Sequence, residues 1–366
     1  MKYYLIAGEA SGDLHGARLI ESLLQKDCNA KIRCWGGDLM EKAGGQLVKH
    51  YRDLAFMGFW EVLTHLPTIL ENIAFCKKDI LAFQPDAIVY IDYPGFNLRI
   101  AKWAKKQGFQ NHYYISPQVW AWKANRVQQM KQNLTALYTI LPFEKKYFSE
   151  HHQYEVHYVG HPLLDSLQKK TEPIQLQYPS DEKPIIALLP GSRQQEVQKM
   201  LPLFLSLIPH FTQYQFVVAG TKNLGSDFYK PWIENASCQL VMGQTYPLLQ
   251  AAKAAIVTSG TATLETALFN VPQLVCYKTS KLSYWLAKQW VKLEYISLVN
   301  LILEKKVVQE LIQQDCHPAS LQKALQHILS QGGRQNILDQ YKNLYQLLDA
   351  GGASQKTAEQ IVAHLK

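Results

Sequence analysis

The stretch Ser259-Gly260-Thr261-Ala262-Thr263-Leu264-Glu265 sets small and hydroxyl-bearing residues between an apolar run, Ala254–Thr258, and a helical pattern, Leu264–Phe269. A strand that hands over to a helix there leaves backbone N–H groups free at the positive end of the helix dipole, a place where an anion binds. Glu265 follows about one turn after Thr261, on the same face, and its carboxylate can accept from sugar hydroxyls. The same residues also suit an ordinary helix cap by Ser259 or Thr261. Leu189-Pro190-Gly191-Ser192-Arg193 repeats the logic at the end of Ile185–Leu189. Gly191 admits close backbone approach, Ser192 can cap a helix from Gln194, and Arg193 offers a permanently charged planar fork to a diphosphate.

A third candidate is a carboxylate. Asp92 ends the apolar run Ala87–Ile91 and stands before Tyr93-Pro94-Gly95-Phe96-Asn97. At a strand's carboxyl end it can act as general base toward a hydroxyl, or cap the next helix with Asn97 sharing that task. The loop Gly8-Glu9-Ala10-Ser11-Gly12-Asp13-Leu14-His15-Gly16 matches neither the dinucleotide fingerprint nor the Walker pattern. Its two acids suit hydroxyl or amide groups better than a free diphosphate, and a tight strand–helix turn explains its glycines equally. Trp120 and Trp122, in Ser116-Pro117-Gln118-Val119-Trp120-Ala121-Trp122, can stack on sugar rings, line an acyl pocket, or belong to a core. Asn300 is a single amide in the apolar run Tyr295–Ile302 and requires partners, either backbone or substrate. Phe56, Met57, Phe59, Trp60, Val62, Leu63 and Leu66 crowd one stretch with more apolar bulk than one helix face hides. A membrane-interface patch, an acyl groove or an interdomain contact accounts for it.

These residues fall at the ends of short apolar runs alternating with helical periodicity, the pattern of parallel sheets covered by helices on both faces. The first series of strands is Tyr3–Ala7, Ile32–Trp35, Ala87–Ile91, His112–Ile115, Ala136–Ile140 and Glu155–Val159. A polar, proline-bearing linker over 169–183 follows. The second series is Ile185–Leu189, Gln215–Ala219, Gln239–Met242, Ala254–Thr258 and Gln273–Cys276. Beyond Pro318 the chain reads as helical, and Gly351-Gly352 sets off a last helix. The 366 residues, 47% hydrophobic and 19% charged, suit two packed domains. The net charge of +8 admits nucleic acid, an anionic membrane surface or phosphorylated substrates. Scattered lysines and arginines without a basic arm argue against nucleic acid. Six separated cysteines without Cys-x-x-Cys argue against zinc or a disulfide framework and fit a reducing cytosol. No signal peptide and no apolar run of the ~20 residues that span a bilayer is expected.

Taken together, the ordered motifs resemble the lipid-A-disaccharide synthases, nearly end to end. Those that carry the resemblance are Gly8–Asp13, Ile91–Asn97, Ser116–Trp122, Leu141-Pro142-Phe143-Glu144, Gly160-His161-Pro162, Leu189–Arg193, Ser259–Glu265 and Tyr295–Leu301. The resemblance implies an α/β fold of GT-B type: two doubly wound Rossmann-like domains facing a cleft, with a helical C-terminal tail. Residues 1–168 would bind acceptor and acyl chains and carry the membrane-facing patch. Residues 184–345 would bind the UDP-sugar, and 346–366 would form a helix packed back on the first domain or exchanged in a homodimer. The implied reaction is inverting and needs no metal or cofactor. It joins UDP-2,3-diacylglucosamine to 2,3-diacylglucosamine 1-phosphate, giving a β-1,6 disaccharide 1-phosphate and UDP at the cytoplasmic face of the inner membrane. The family's essential Asp, Arg and Asn match Asp92, Arg193 and Asn300. Its loop acid matches Glu9, beside Ser11. Gly95 stands where some relatives carry a second Asp, which makes Asp92 the essential carboxylate. The absence of any Asp-x-Asp leaves the leaving-group charge to Arg193, Gly191, Ser192, the Ser259–Thr261 turn and other helix N-termini, with Glu265 at the ribose and Trp120 at the substrate. Another GT-B glycosyltransferase with a lipid-linked acceptor, a UDP-sugar 2-epimerase and a non-catalytic nucleotide-sugar-binding protein are the alternatives.

Overall fold

The computed structural model describes residues 1–53, 66–167, 173–176, 183–279, 294–348 and 351–366. The chain divides into two compact units: Met1–Ser166 with Ala350–Lys366, and Leu167–Asp349.

The first unit holds seven parallel strands: β1 (Lys2–Ala7), β2 (Lys31–Gly36), β3 (Gln46–His50), β4 (Ala87–Ile91), β5 (Gln110–Tyr114), β6 (Ala136–Thr139) and β7 (His157–Tyr158). Their order is β3-β2-β1-β4-β5-β6-β7. Every residue of β4 is buried, as is β1 after its first residue, because helices cover both faces of a parallel sheet. Two apolar clusters result, one on each side. Tyr4, Ile6, Ile88, Tyr90 and Tyr113 point to one, and Tyr3, Leu5, Ala87, Val89 and Ile91 to the other.

The last helix, Ala353–Leu365, belongs to this unit. Its Ala358 and Ile361 pack with Leu19, Ile20 and Leu23 of the helix Ala10–Lys26. Asp165 accepts the Gly352 N–H at 2.6 Å, and Lys26 pairs with Glu359 at 2.8 Å. The helix before it, Gln331–Leu347, stays with the second unit.

The second unit holds six parallel strands: β8 (Ile185–Leu189), β9 (Gln215–Gly220), β10 (Cys238–Met242), β11 (Ala252–Thr258), β12 (Gln273–Tyr277) and β13 (Gln309–Ile312), in the order β10-β9-β8-β11-β12-β13. In both sheets the first strand lies inside, and the winding reverses beside it. The reversal separates the carboxyl ends of β1 and β4 in one unit, and of β8 and β11 in the other. A crevice opens where successive connections leave to opposite faces, and open parallel sheets bind ligands there. The register Ala7↔Ile91 delivers Glu9 and Asp92 to the first such point. The register Leu189↔Val257 delivers Gly191–Arg193 and Ser259–Thr261 to the second.

Candidate active site

In the first unit the backbone at Asp92 is forced. Asp92 and Tyr93 have φ of 45° and 49°, a left-handed conformation costing side-chain-bearing residues about 1–3 kcal/mol each. The surroundings hold it there. The Asp92 N–H donates to the Tyr114 carbonyl at 3.2 Å. Its carbonyl accepts from Asn97 Nδ2 at 2.7 Å and from the Tyr113 hydroxyl at 2.5 Å. Asp92 is therefore no helix cap. Tyr93 occupies that position for Pro94–Lys106, and Asn97 secures the turn from behind.

Burial, then the nearby Glu9 carboxylate, raise the Asp92 pKa to about 6. Such a carboxyl is ionised at neutral pH yet far more basic than an ordinary aspartate. If Asp92 removes a proton in the rate-limiting step, kcat/KM rises with pH up to about 6 and levels above it. A rate–pH profile from pH 4 to 8 checks this, and a limb near 4 contradicts it. The stability sign runs the other way. The native state holds the Asp92 proton more tightly than the unfolded chain, so this group's contribution falls as pH rises from about 3.8 to about 6.

The neighbouring loops are structural as well as exposed. Ser11 is exposed in the first turn of the helix that opens at Ala10. Asp13 is buried and accepts from the N–H groups of Gly37, Leu39 and Met40, so it fastens the loop after β2. Trp120 donates its indole N–H to Glu144 at 3.2 Å and meets the Phe143 ring edge-on at 5.0 Å. Only its ring faces remain for a ligand. Glu144, the last residue of the Leu141–Glu144 motif, is the partner that the indole requires. It is buried, accepts the Ile140 and Leu141 N–H groups at 3.1 and 2.9 Å, and burial raises its pKa to about 7. Its signal was its place three residues into a helix opened by Pro142.

In the second unit a pocket of ≈ 360 Å³ lies over the β8–β11 reversal, lined among others by Gly191, Ser192, Arg193, Ser259, Gly260, Thr261 and Glu265. Gly191 has φ +113°, and a Cβ there would lie 2.6 Å from Glu196 Oε2. Gly260, at φ 157° and ψ −164°, takes a conformation that only glycine adopts readily. It is the N-cap of the helix Thr261–Leu268, and neither Ser259 nor Thr261 is. Ser259 instead turns its hydroxyl to the Ile296 carbonyl at 3.0 Å. The helix amides thus have no side-chain cap of their own. Ser192 does not cap either. Arg193 is the N-cap of Gln194–Leu205, and Glu196 accepts the Ser192 and Arg193 N–H groups at 3.2 and 3.3 Å and Arg193 Nη1 at 3.0 Å. Arg193 keeps 70% side-chain exposure, so its fork is accessible. Glu265 accepts from the Tyr246 hydroxyl at 3.0 Å, and burial raises its pKa. Thr221, Thr245 and Thr258 also line the pocket, and Thr258 Oγ1 is buried without a hydrogen-bond partner among the described residues. Single threonines at strand ends carry no motif, and only the strand-end rule could have found them.

Asn300 does not line this pocket. It is fully buried, and its amide is spent: Nδ2 donates to Val308 O and Glu310 Oε1, and Oδ1 accepts from Val307 N and Val308 N, all at 2.8–2.9 Å. Four hydrogen bonds exhaust a carboxamide: of the two kinds of partner that burial of this amide calls for, backbone or substrate, the backbone and Glu310 supply all four. Glu310 also accepts the Ile296 and Ser297 N–H groups, and Ile296 holds Ser259. Asn300→Ala is expected to destabilise the protein by roughly 2–4 kcal/mol, because it strands buried amides and a carboxylate. Denaturant unfolding measures it. Unchanged stability with lost turnover would instead indicate direct substrate contact.

Phe56, Met57, Phe59, Trp60, Val62 and Leu63 lie outside the described residues, as does the Leu66 side chain. On the helix Leu66–Phe83, Leu70 and Phe75 are 56% and 46% exposed. Among the described residues no helix is long and apolar enough to cross a membrane.

A profile of the lipid-A-disaccharide synthetase family matches residues 3–364. The chain belongs to this family. The lipid-A-disaccharide synthase of Coxiella burnetii (strain CbuG_Q212) is 36% identical over 366 residues, covering 98% of this chain and 96% of the relative. Among solved structures, the UDP-GlcNAc 2-epimerase from Neisseria meningitidis bound to UDP-GlcNAc superposes with a TM-score of 0.71 at 13% identity, covering 99% and 100% of the two chains. The glycotransferase of kitacinnamycin gives 0.68 at 11%, covering 100% and 99%. Identities this low establish the fold, two parallel α/β units of GT-B type, and no more. Full-length kinship to the synthases makes the chain a glycosyltransferase of lipid A biosynthesis.

Proposed function

We propose that the chain transfers the diacylglucosamine of UDP-2,3-diacylglucosamine to the 6-hydroxyl of 2,3-diacylglucosamine 1-phosphate. Asp92 takes the hydroxyl proton as O6 attacks the anomeric carbon from the face opposite the nucleotide. The carbon–oxygen bond to the diphosphate breaks, and UDP departs. Arg193, the Ser192 hydroxyl and the amides of the Gly260–Ala262 turn meet the developing charge, while Glu265 accepts from the ribose. Glu9 lies beside Asp92, keeps its carboxyl basic, and binds acceptor hydroxyls. Asn300 acts through Glu310 and Ile296 on the Ser259 turn.

The observation that carries this reading is the pairing of chemistry with topology. One reversal point holds a half-buried, basic carboxylate, and the other holds a pocket lined by uncapped helix amides and an accessible arginine. Peripheral attachment to the inner membrane's cytoplasmic face is part of the proposal. Exposed Leu70 and Phe75, the net charge of +8 and the acylated substrates support it. The test is to incubate purified protein with both substrates and follow products by mass spectrometry. Disaccharide 1-phosphate and UDP in equal amounts are expected. The reading is overturned if neither product forms.

A further inference from the structure

We propose that Lys123 and Arg126, set against the indole of Trp122, bind the phosphomonoester of the acceptor; this rests on the acceptor assigned above. Lys123 belongs to the loop that leaves β5, the strand beside β4, and Arg126 opens the helix Arg126–Asn133 that follows it. The register Ile91↔Tyr114 places that loop next to the Asp92 turn. The two share a hydrogen bond from Asp92 N to Tyr114 O. Lys123 Nζ sits 4.4 Å from the centre of the Trp122 ring and Arg126 Cζ 5.5 Å from it. Cation–π contact orders both side chains without neutralising them. Trp122 is itself 44% exposed, and Lys123 is held in a left-handed backbone at φ 57°.

Among the described residues neither cation has a carboxylate partner. Partial desolvation, then the Arg126 charge, pull the Lys123 ammonium below its ordinary pKa. Desolvation likewise lowers Arg126, opposed by Tyr113. Tyr113 is the residue whose hydroxyl holds the Asp92 carbonyl. The chemistry requires such a pair. An acceptor that presents its 6-hydroxyl to Asp92 and Glu9 carries its phosphate on C1, the carbon that flanks the ring oxygen opposite C5. A phosphate beside two carboxylates is repelled unless cations stand with it, and an arginine fork with a lysine point charge is a fitting receptor.

The same two cations would also suit anionic lipid headgroups, so the test separates the sources. Full-length Lys123→Met and Arg126→Gln proteins are assayed with detergent-dispersed acceptor, and acceptor binding is titrated directly by calorimetry. The acceptor KM and Kd are expected to rise about tenfold or more, with the donor KM and UDP affinity unchanged. With an acceptor lacking the 1-phosphate, wild type and variants should converge. Equal losses on the dephosphorylated acceptor, or an unchanged acceptor KM, overturn the proposal. So does weaker binding to phosphatidylglycerol vesicles with acceptor affinity intact, which would assign the patch to headgroups. If Arg126→Gln lowers the Tm, the exposed Lys123→Met carries the test. If wild type binds the acceptor but forms no disaccharide, the transferase reading fails while the titration still decides the phosphate site.

Discussion

Asp92→Asn is expected to reduce turnover about 10²–10⁴-fold, the usual worth of a positioned general base, while UDP affinity stays within twofold. The substitution is unusually clean at this position. Asparagine tolerates the left-handed backbone better than other side chains, so the φ of 45° at Asp92 adds little strain. The hydrogen bonds to the Asp92 carbonyl survive, and the asparagine side-chain oxygen can still accept the Tyr93 N–H that the carboxylate takes. Folding should therefore improve if anything, since an ionised, half-buried carboxylate facing Glu9 is replaced by a neutral amide. The diagnostic outcome is a large loss of kcat, loss of the pH limb near 6, and a Tm equal to or above wild type. Near-normal turnover would remove Asp92 from the chemistry. A fall in Tm with loss of UDP binding would make it structural.

For Arg193→Ala the expectation is a loss of roughly 10²–10³-fold in kcat, the effect of removing one donor aimed at developing charge, with weaker UDP binding beside it. Stability should change by no more than about 0.5 kcal/mol, because the side chain is exposed and its pair with Glu196 is a surface one. Glu196 would still accept the Ser192 and Arg193 N–H groups, so the helix end stays satisfied. Arg193→Lys keeps the charge and loses the planar fork. It should recover part of the binding and little of the rate. Unchanged UDP affinity in the alanine variant would contradict the diphosphate role.

The strands that the chain announces most plainly are those buried on both faces, such as Ala87–Ile91 and Ile185–Leu189, since central parallel strands must be apolar throughout. Two were invisible. Gln46–His50 and Gln309–Ile312 are edge strands whose polar residues leave no apolar run to read. The last helix is legible as a helix. That it packs on Ala10–Lys26 of the first unit is a contact between residues more than 300 apart, outside any local pattern.

By itself the sequence determined the class of sheet, the ends of strands at which function sits, and the residue types that can act there. Asp92, Arg193 and the Ser259–Glu265 turn all fall at such ends because strand periodicity stops where the loops begin. Partnership was decided only by the tertiary structure. Asn300 reads as an amide in want of backbone or substrate partners, and four hydrogen bonds to Val307, Val308 and Glu310 are what supply them. Ser192 and Ser259 read as caps, yet Glu196 and the Ile296 carbonyl intervene. Trp120 reads as a stacking, acyl-pocket or core residue alike, and Glu144 takes its N–H. A polar side chain advertises its hydrogen-bonding capacity in the sequence. Which neighbour exhausts that capacity depends on strand order and register, and those emerge only when the sheets close.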